Sequence, residues 1–385
     1  ITNRNFLSFF VICCLLYVVC YLTIRLAQPY AFSNGNFFDF TLNQKVLDNW
    51  KQLKSFDDPN GWFPPGVQWI TTKPYLFPMK NMILWGLGLP LGIISVFAIT
   101  YHVLLIMYYI SKKKIYLILN TKYLILFLSF FWILFLFIYQ GGQFAKNMRY
   151  FIPIYPFLAI IASYFLYKYK IGTLVYGIIG ILFMIYPISF ISIYSHPHSR
   201  VTASNWIYEN IPVGSTLSGE HWDDFLPVSL PKTNLIHEKY QGIEFPLYGV
   251  DNQAKWKDMD EKLKKVDYII LTSNRLYGSI MTVPKRYPIT SRYYQALFDG
   301  SLGFTKVAEF TSRPNLPIPF IKMCLTPPFA RYGIVAMKSQ ECTQTGISFL
   351  DDYSDESFTV YDHPKVLIFK KSKPVDYYDL LLTQK

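Results

Sequence analysis

Long apolar runs fill the first half of the chain and stop near residue 196. Five of them, at 6–26, 82–110, 123–139, 151–167 and 171–194, approach the roughly 20 residues that cross a bilayer core. Pro90, Pro153, Pro156 and Pro187 fall in or near these runs. Membrane helices tolerate such prolines where neighbours satisfy the freed carbonyls. Beyond residue 196 the pattern shortens and alternates. It predicts helices at 201–211, 256–265 and 292–298, and strands at 215–219, 266–272, 304–310 and 365–370. Elements of this length in this order predict a small α/β domain. Residues 313–349 break the alternation and are read as an insertion. The expected fold is therefore a polytopic α-helical membrane domain over residues 1–196, followed by a small extracytoplasmic α/β domain over 197–385.

The short connections set an orientation. Lys112, Lys113, Lys114 and Lys122 flank one, and Lys168 and Lys170 flank another. The positive-inside rule makes both cytoplasmic. Alternation then places residues 27–81, 140–150 and everything after Tyr194 outside a cell (plasma) membrane. The outer loop 27–81 is too long for a plain connector. It carries Trp50, Trp62, Trp69 and several prolines, and 43–55 reads as a surface amphipathic helix.

Composition sharpens this division. Over all 385 residues, 52% are hydrophobic and only 16% charged, below the roughly one quarter usual for soluble domains. Residues 1–196 hold 15 Lys and Arg against four Asp, a net +11, whereas 197–385 hold 22 against 21 acidic residues, a net +1. The basic excess thus belongs to the membrane half. That argues against a nucleic-acid binder, whose basic surface would normally sit on a soluble domain. Cys13, Cys14 and Cys20 are read as packing residues of the first helix. Cys324 and Cys342 lie in the insertion, where an oxidising outer compartment would let them pair as a disulfide.

The candidate chemistry gathers at the outer ends of the helices. Arg25, Lys80, Lys146 and Arg149 all fall there. Any one alone reads as an interfacial anchor whose charge snorkels to the headgroups. Four at one face also suit a phosphate, through charge and hydrogen bonding. The connection 140–156, QGGQFAKNMRYFIPIYP, puts Lys146 and Arg149 at the mouth of the helices, with Tyr150 beside them. Asp57 and Asp58 are weak candidates for a general base, because DDPNG is also a good turn. Residues 219–227, GEHWDDFLP, cluster Glu220, His221, Asp223 and Asp224 after a strand and are read as a solvated strand-to-loop edge. His196 and His198 are read as a linker. No metal signature, P-loop, GxGxxG, G-x-S-x-G or CxxC occurs, so neither a cofactor nor a nucleotide is called for.

Several stretches resemble the C-terminal half of bacterial phospholipid-carrier-dependent membrane glycosyltransferases. They are RYFIPIYP at 149–156, NWIYENIP at 205–212, GEHWDDFLP at 219–227, VDYIILTSNRLYGSI at 266–280 and YDHPKVLIFKK at 361–371. These enzymes are similar to protein O-mannosyltransferases and aminoarabinose transferases. The resemblance implies a type-C glycosyltransferase fold, a cavity open to the outer face, and a polyprenyl-phosphate-linked sugar passed to an acceptor glycan, lipid or protein. It implies that Arg149 lies near the carrier phosphate, and that the aromatic loop with Trp62 and Trp69 covers the cavity. It also implies further helices and the family's catalytic carboxylate upstream of Ile1. The alternative is a non-catalytic, membrane-anchored envelope binding protein. A transporter fits less well, since no helix carries an acidic residue to couple an ion.

Overall fold

In the computed structural model of the chain, the structure describes residues 3–61, 63–112, 121–169, 172–230, 239–327, 344–352 and 354–383. Two compact units form, Ile1–Phe63 and Pro64–Lys385. This differs from the compositional boundary at 196/197. The reason is physical: the last apolar helix (Thr173–Ile191) packs on strand Asn315–Leu316, and the turns Pro64–Trp69 and Met148–Ile154 pack on Arg275–Ile280 and Glu356–Thr359, so the apolar helices and the α/β domain form one unit.

The first unit holds helix α1 (Asn3–Ala27) and helix α2 (Gln44–Ser55). Asn43 caps α2 by accepting from the Lys45 amide at 3.0 Å. No residue of α2 is buried, as its amphipathic surface reading requires. Arg25, near the end of α1, is buried, with its guanidinium 4.3 Å from the Phe32 ring centroid and donating to the Asn34 carbonyl at 2.9 Å.

The second unit opens with a 3-10 turn (Pro64–Trp69), helix α3 (Leu76–Asn81) and a π-helical turn (Met82–Gly86). Four apolar helices follow: α4 (Leu89–Ser111), α5 (Thr121–Gly141), α6 (Tyr155–Lys168) and α7 (Thr173–Ile191). Among the described residues four helices are long and apolar enough to cross a membrane, against five expected. The difference is the first helix, whose described apolar part, Cys14–Ala27, is shorter than a span. Helix α6 packs between α4 and α5 around Phe130, Ile133, Phe151, Ile154 and Leu158. Gly86 lets the chain pass Tyr155: a Cβ there would sit 2.1 Å from the phenol oxygen.

Helix α8 (Ser199–Asn210) leads into the α/β domain. Five strands, β1 (Thr216–Glu220), β2 (Gln241–Phe245), β3 (Tyr268–Leu271), β4 (Phe304–Phe310) and β8 (Val366–Lys371), make a sheet ordered β2-β1-β3-β8-β4. Strands β2, β1 and β3 are parallel, and β8 runs antiparallel to both β3 and β4. The period of two sorts its side chains. Tyr268, Ile270, Val366 and Ile368 pack under α8 with Ala203 and Ile207. Ile269, Leu271, Leu367 and Phe369 face the other way, toward α9 (Gln253–Lys265) and α11 (Pro288–Asp299). Pro288 opens α11 four residues before the expected start at 292, and Gly300 closes it at φ +83°, the stop that the sequence marks. Helix α10 (Arg275–Ile280) follows β3 directly. The insertion forms a second sheet, β5-β7-β6, from β5 (Asn315–Leu316), β6 (Lys322–Leu325) and β7 (Gly346–Phe349), and the short α12 (Glu356–Thr359) precedes β8.

Candidate functional site

The connection between α5 and α6 is built by its own polar residues. Gln140 Nε2 donates to the Ala145 carbonyl at 3.1 Å and closes the turn. Asn147 accepts from the Arg149 amide at 3.1 Å and caps a 3-10 turn, Met148–Ile154, that leads into α6. The Trp132 indole donates to the Pro153 carbonyl at 3.2 Å. The segment before α4 is tied to the same place: the Tyr75 amide donates to the Gly141 carbonyl at 3.0 Å, with Tyr75 at φ +59°. A positive φ with ψ −46° is uncommon for a tyrosine and is held by the joint. A Cβ at Gly142 would lie 2.8 Å from the Tyr75 hydroxyl, which gives this glycine a packing reason.

The expected phosphate ligands part company here. Arg149 is exposed, its guanidinium 5.5 Å from the Tyr150 ring centroid, and among the described residues no carboxylate pairs with it. Lys146 is buried and turns back on its own loop, donating to the Phe144 carbonyl at 3.0 Å. Lys80 is half-buried at the end of α3. Tyr150 is exposed beside Arg149, whereas Trp69 is buried and does not line an open surface. Its indole donates to Asp355 at 3.3 Å and its ring meets Phe144 edge-on at 6.2 Å. Trp62 lies outside the described residues.

The α/β domain reaches this mouth through α12, which packs on the Met148–Ile154 turn. Asp355 caps α12 by accepting from the Ser357 amide at 2.9 Å. Glu356 takes Arg275 Nε at 2.7 Å, and Gln68 approaches its other oxygen at 3.4 Å. Arg275 also donates to the Trp222 carbonyl. Arg275 follows β3 and Trp222 follows β1, so the carboxyl edge of the parallel strands is fastened to α12 and to the turn Pro64–Trp69. Open α/β sheets offer their ligand crevices at that edge. Burial pushes both Asp355 and Glu356 up, and the Arg275 charge pulls Glu356 back down in part.

The cluster at 219–227 departs from its expected solvated edge. Glu220 is fully buried; one oxygen accepts from the Tyr294 hydroxyl at 2.5 Å and the other has no partner among the described residues. Burial pushes its carboxyl up to about 8, with nearby Asp223 adding to the rise and the Tyr294 bond opposing it. Asp223 is also buried and takes Arg200 at 2.8 Å. Only Asp224, also paired with Arg200, and His221, paired with Glu244 at 2.6 Å, reach solvent. The cause is that β1 lies inside the sheet, covered on both faces. A second buried network joins Arg313 to Asp352 at 2.7 Å and Lys365 to Asp352 and Glu309 at 3.0 and 2.9 Å. It lines a cavity about the size of one water molecule.

Asp57 and Asp58 belong to the first unit. Asp58 accepts from the Asn60 amide at 2.9 Å, and the Gly61 amide donates to the Asp58 carbonyl at 2.9 Å, so DDPNG is a turn. His198 is more than a linker: its Nδ1 accepts from the Arg200 amide at 3.2 Å and caps α8. Cys324 is disulfide-bonded, and Cys342 lies outside the described residues. Among the described residues no group of three or more His, Cys, Asp or Glu could hold a metal. Sequence reading missed Arg275, Asp355, Glu356 and Arg200. Asp355 alone carries a local signal, an acidic cap two residues before a serine. No protein-family model, curated protein or solved structure matches this chain.

Proposed function

We propose that this chain serves a membrane glycosyltransferase, passing a sugar from a polyprenyl-phosphate carrier to an acceptor at the outer face of a cell membrane. The observation that carries the reading is Arg149: an exposed guanidinium without a carboxylate partner among the described residues, presented by a capped turn at the end of apolar helices. A polyprenyl chain would lie along those helices, and its phosphate would meet Arg149 at their end. Arg can grip two phosphate oxygens at once. As the bond from the sugar's anomeric carbon to the carrier oxygen breaks, negative charge grows on the departing phosphate, and Arg149 would offset it. Lys146 has the role of holding the loop, through its bond to the Phe144 carbonyl. Tyr150 would offer the sugar an apolar ring face. No residue is assigned as the base that takes the acceptor's proton.

The test is sugar transfer from a synthetic polyprenyl-phosphate sugar by the full-length protein in membranes. Arg149→Ala should cut transfer by about 10- to 100-fold, the worth of a hydrogen-bonded charge. Arg149→Lys should restore it only in part, because the two-pronged grip is lost. Unchanged transfer by Arg149→Ala at normal expression sinks this reading and favours a non-catalytic envelope binding protein.

A further inference from the structure

The geometry points to the small sheet of the insertion as a surface that rests on lipid, in the interface where α7 leaves the membrane. The sheet is fastened to the end of that helix. Its β5 packs on α7, and the Asn315 amide donates to the Ser192 hydroxyl at 3.1 Å. The Phe349 ring meets Tyr186 of α7 edge-on at 5.4 Å.

Register then sorts the faces. Leu316 pairs with Ile347, Ile347 with Met323, and Phe349 with Leu325. Paired residues share a face, and so do residues two apart in a strand. Leu316, Ile347, Phe349, Met323 and Leu325 therefore form one apolar face, the face that Phe349 turns toward α7. The alternate positions Asn315, Ser348, Lys322 and Cys324 lie on the other side.

Exposure of the apolar face rises away from the helix. Leu316, Ile347 and Phe349 are half-buried, while Met323 and Leu325 on the outer strand are 48% and 39% exposed. Phe320, at the tip before β6, is fully exposed with φ +66°. The end of α7 shows exposed Ile188 and Ile191, and Tyr194 in the turn after it is exposed too. An apolar face of this kind left in water, on an edge strand, is an aggregation liability. Continuity with the apolar side of α7 identifies the occupant as the bilayer interface, where aromatic and aliphatic side chains sit at the headgroup boundary. The inference needs α7 to be a membrane helix and is independent of sugar transfer.

Adjacent strand positions supply the test. The full chain is placed in phosphatidylcholine and phosphatidylglycerol nanodiscs with p-benzoylphenylalanine at Met323, at Leu325, at Lys322 or, as a lipid-facing reference, at exposed Ile181 of α7. After illumination, mass spectrometry reads the covalent lipid adduct. Met323 and Leu325 should give lipid adduct at a level near that of Ile181 and about tenfold above Lys322, whose side chain points to the opposite face. Equal adduct at Met323, Leu325 and Lys322 would overturn the inference. So would the absence of adduct at Met323 and Leu325 while Ile181 reacts, or cross-linking of Met323 to a second copy of the chain instead of lipid.

Discussion

Two regions of the second unit treat cations in opposite ways. In the α/β domain, Arg200, Arg275, Arg313 and Lys365 are all neutralised by carboxylates at 2.7 to 3.0 Å. At the mouth, Arg149 faces solvent with no carboxylate against it among the described residues. The difference teaches how to divide structural charge from charge kept for a ligand. A buried cation needs a carboxylate or, as at Lys146, a backbone carbonyl, because its desolvation is otherwise uncompensated. An exposed one pays no such penalty and can wait for an anion.

The largest expected effect therefore lies in the paired region. Arg275→Ala strands Glu356 at the start of α12 and should lower stability by about 3 kcal/mol. Replacing both partners, Arg275→Met with Glu356→Leu, should lose much less, since no charge is left behind. Thermal melts of the detergent-solubilised chain check both. If the double variant is no more stable than Arg275→Ala, the pair is not the fastening described here.

A middle-sized effect concerns pH. The folded chain keeps the Glu220 proton up to about pH 8, whereas the unfolded chain releases it in the ordinary carboxylate range. Between those limits the unfolded state binds fewer protons, so stability falls as pH rises. The contribution is full at pH 4 and lost by pH 8. Glu220→Gln can still accept from Tyr294 and titrates no proton, so its melting temperature should vary less with pH across this window. Parallel slopes for the two proteins would show that Glu220 does not hold that proton. A smaller effect is expected of Trp69→Phe, which removes one indole hydrogen bond to Asp355. It should cost about 1 kcal/mol in the same melts, with little change in transfer beyond it.

Sidedness has its own check. Val250 is exposed in the α/β domain and serves as an accessible probe position. With Cys13, Cys14 and Cys20 replaced by Ser, an impermeant thiol reagent applied to intact cells should label Val250→Cys and spare Lys112→Cys. The reverse pattern would invert the proposed orientation.

Much of the architecture was legible in the residue pattern. The apolar runs became α4 to α7, and the strand at 304–310 formed with those limits as Phe304–Phe310. Gly300 closes α11 as expected because a glycine stop acts locally, whereas the helix begins at Pro288 and not at 292. The connection between α5 and α6 stands out for the same reason: two glycines, a lysine and an arginine stand together in the chain. What the pattern did not disclose was nonlocal. Arg275 and Glu356 are 81 residues apart, and α12 has only four residues, too few for a period to register. Glu220 looked solvated because nothing in TLSGE reveals that its strand has neighbours on both edges. The insertion broke the alternation since its strands are two to four residues long and pair only with one another.

The central claim is that Arg149 holds the carrier phosphate. Native mass spectrometry of the full-length protein, titrated with polyprenyl monophosphate after release from nanodiscs, tests it most directly. Wild type should retain one polyprenyl phosphate, and Arg149→Ala should retain it about 10- to 100-fold more weakly while keeping the wild-type melting temperature. Equal retention by the two proteins would contradict the account and leave Arg149 as an interfacial anchor.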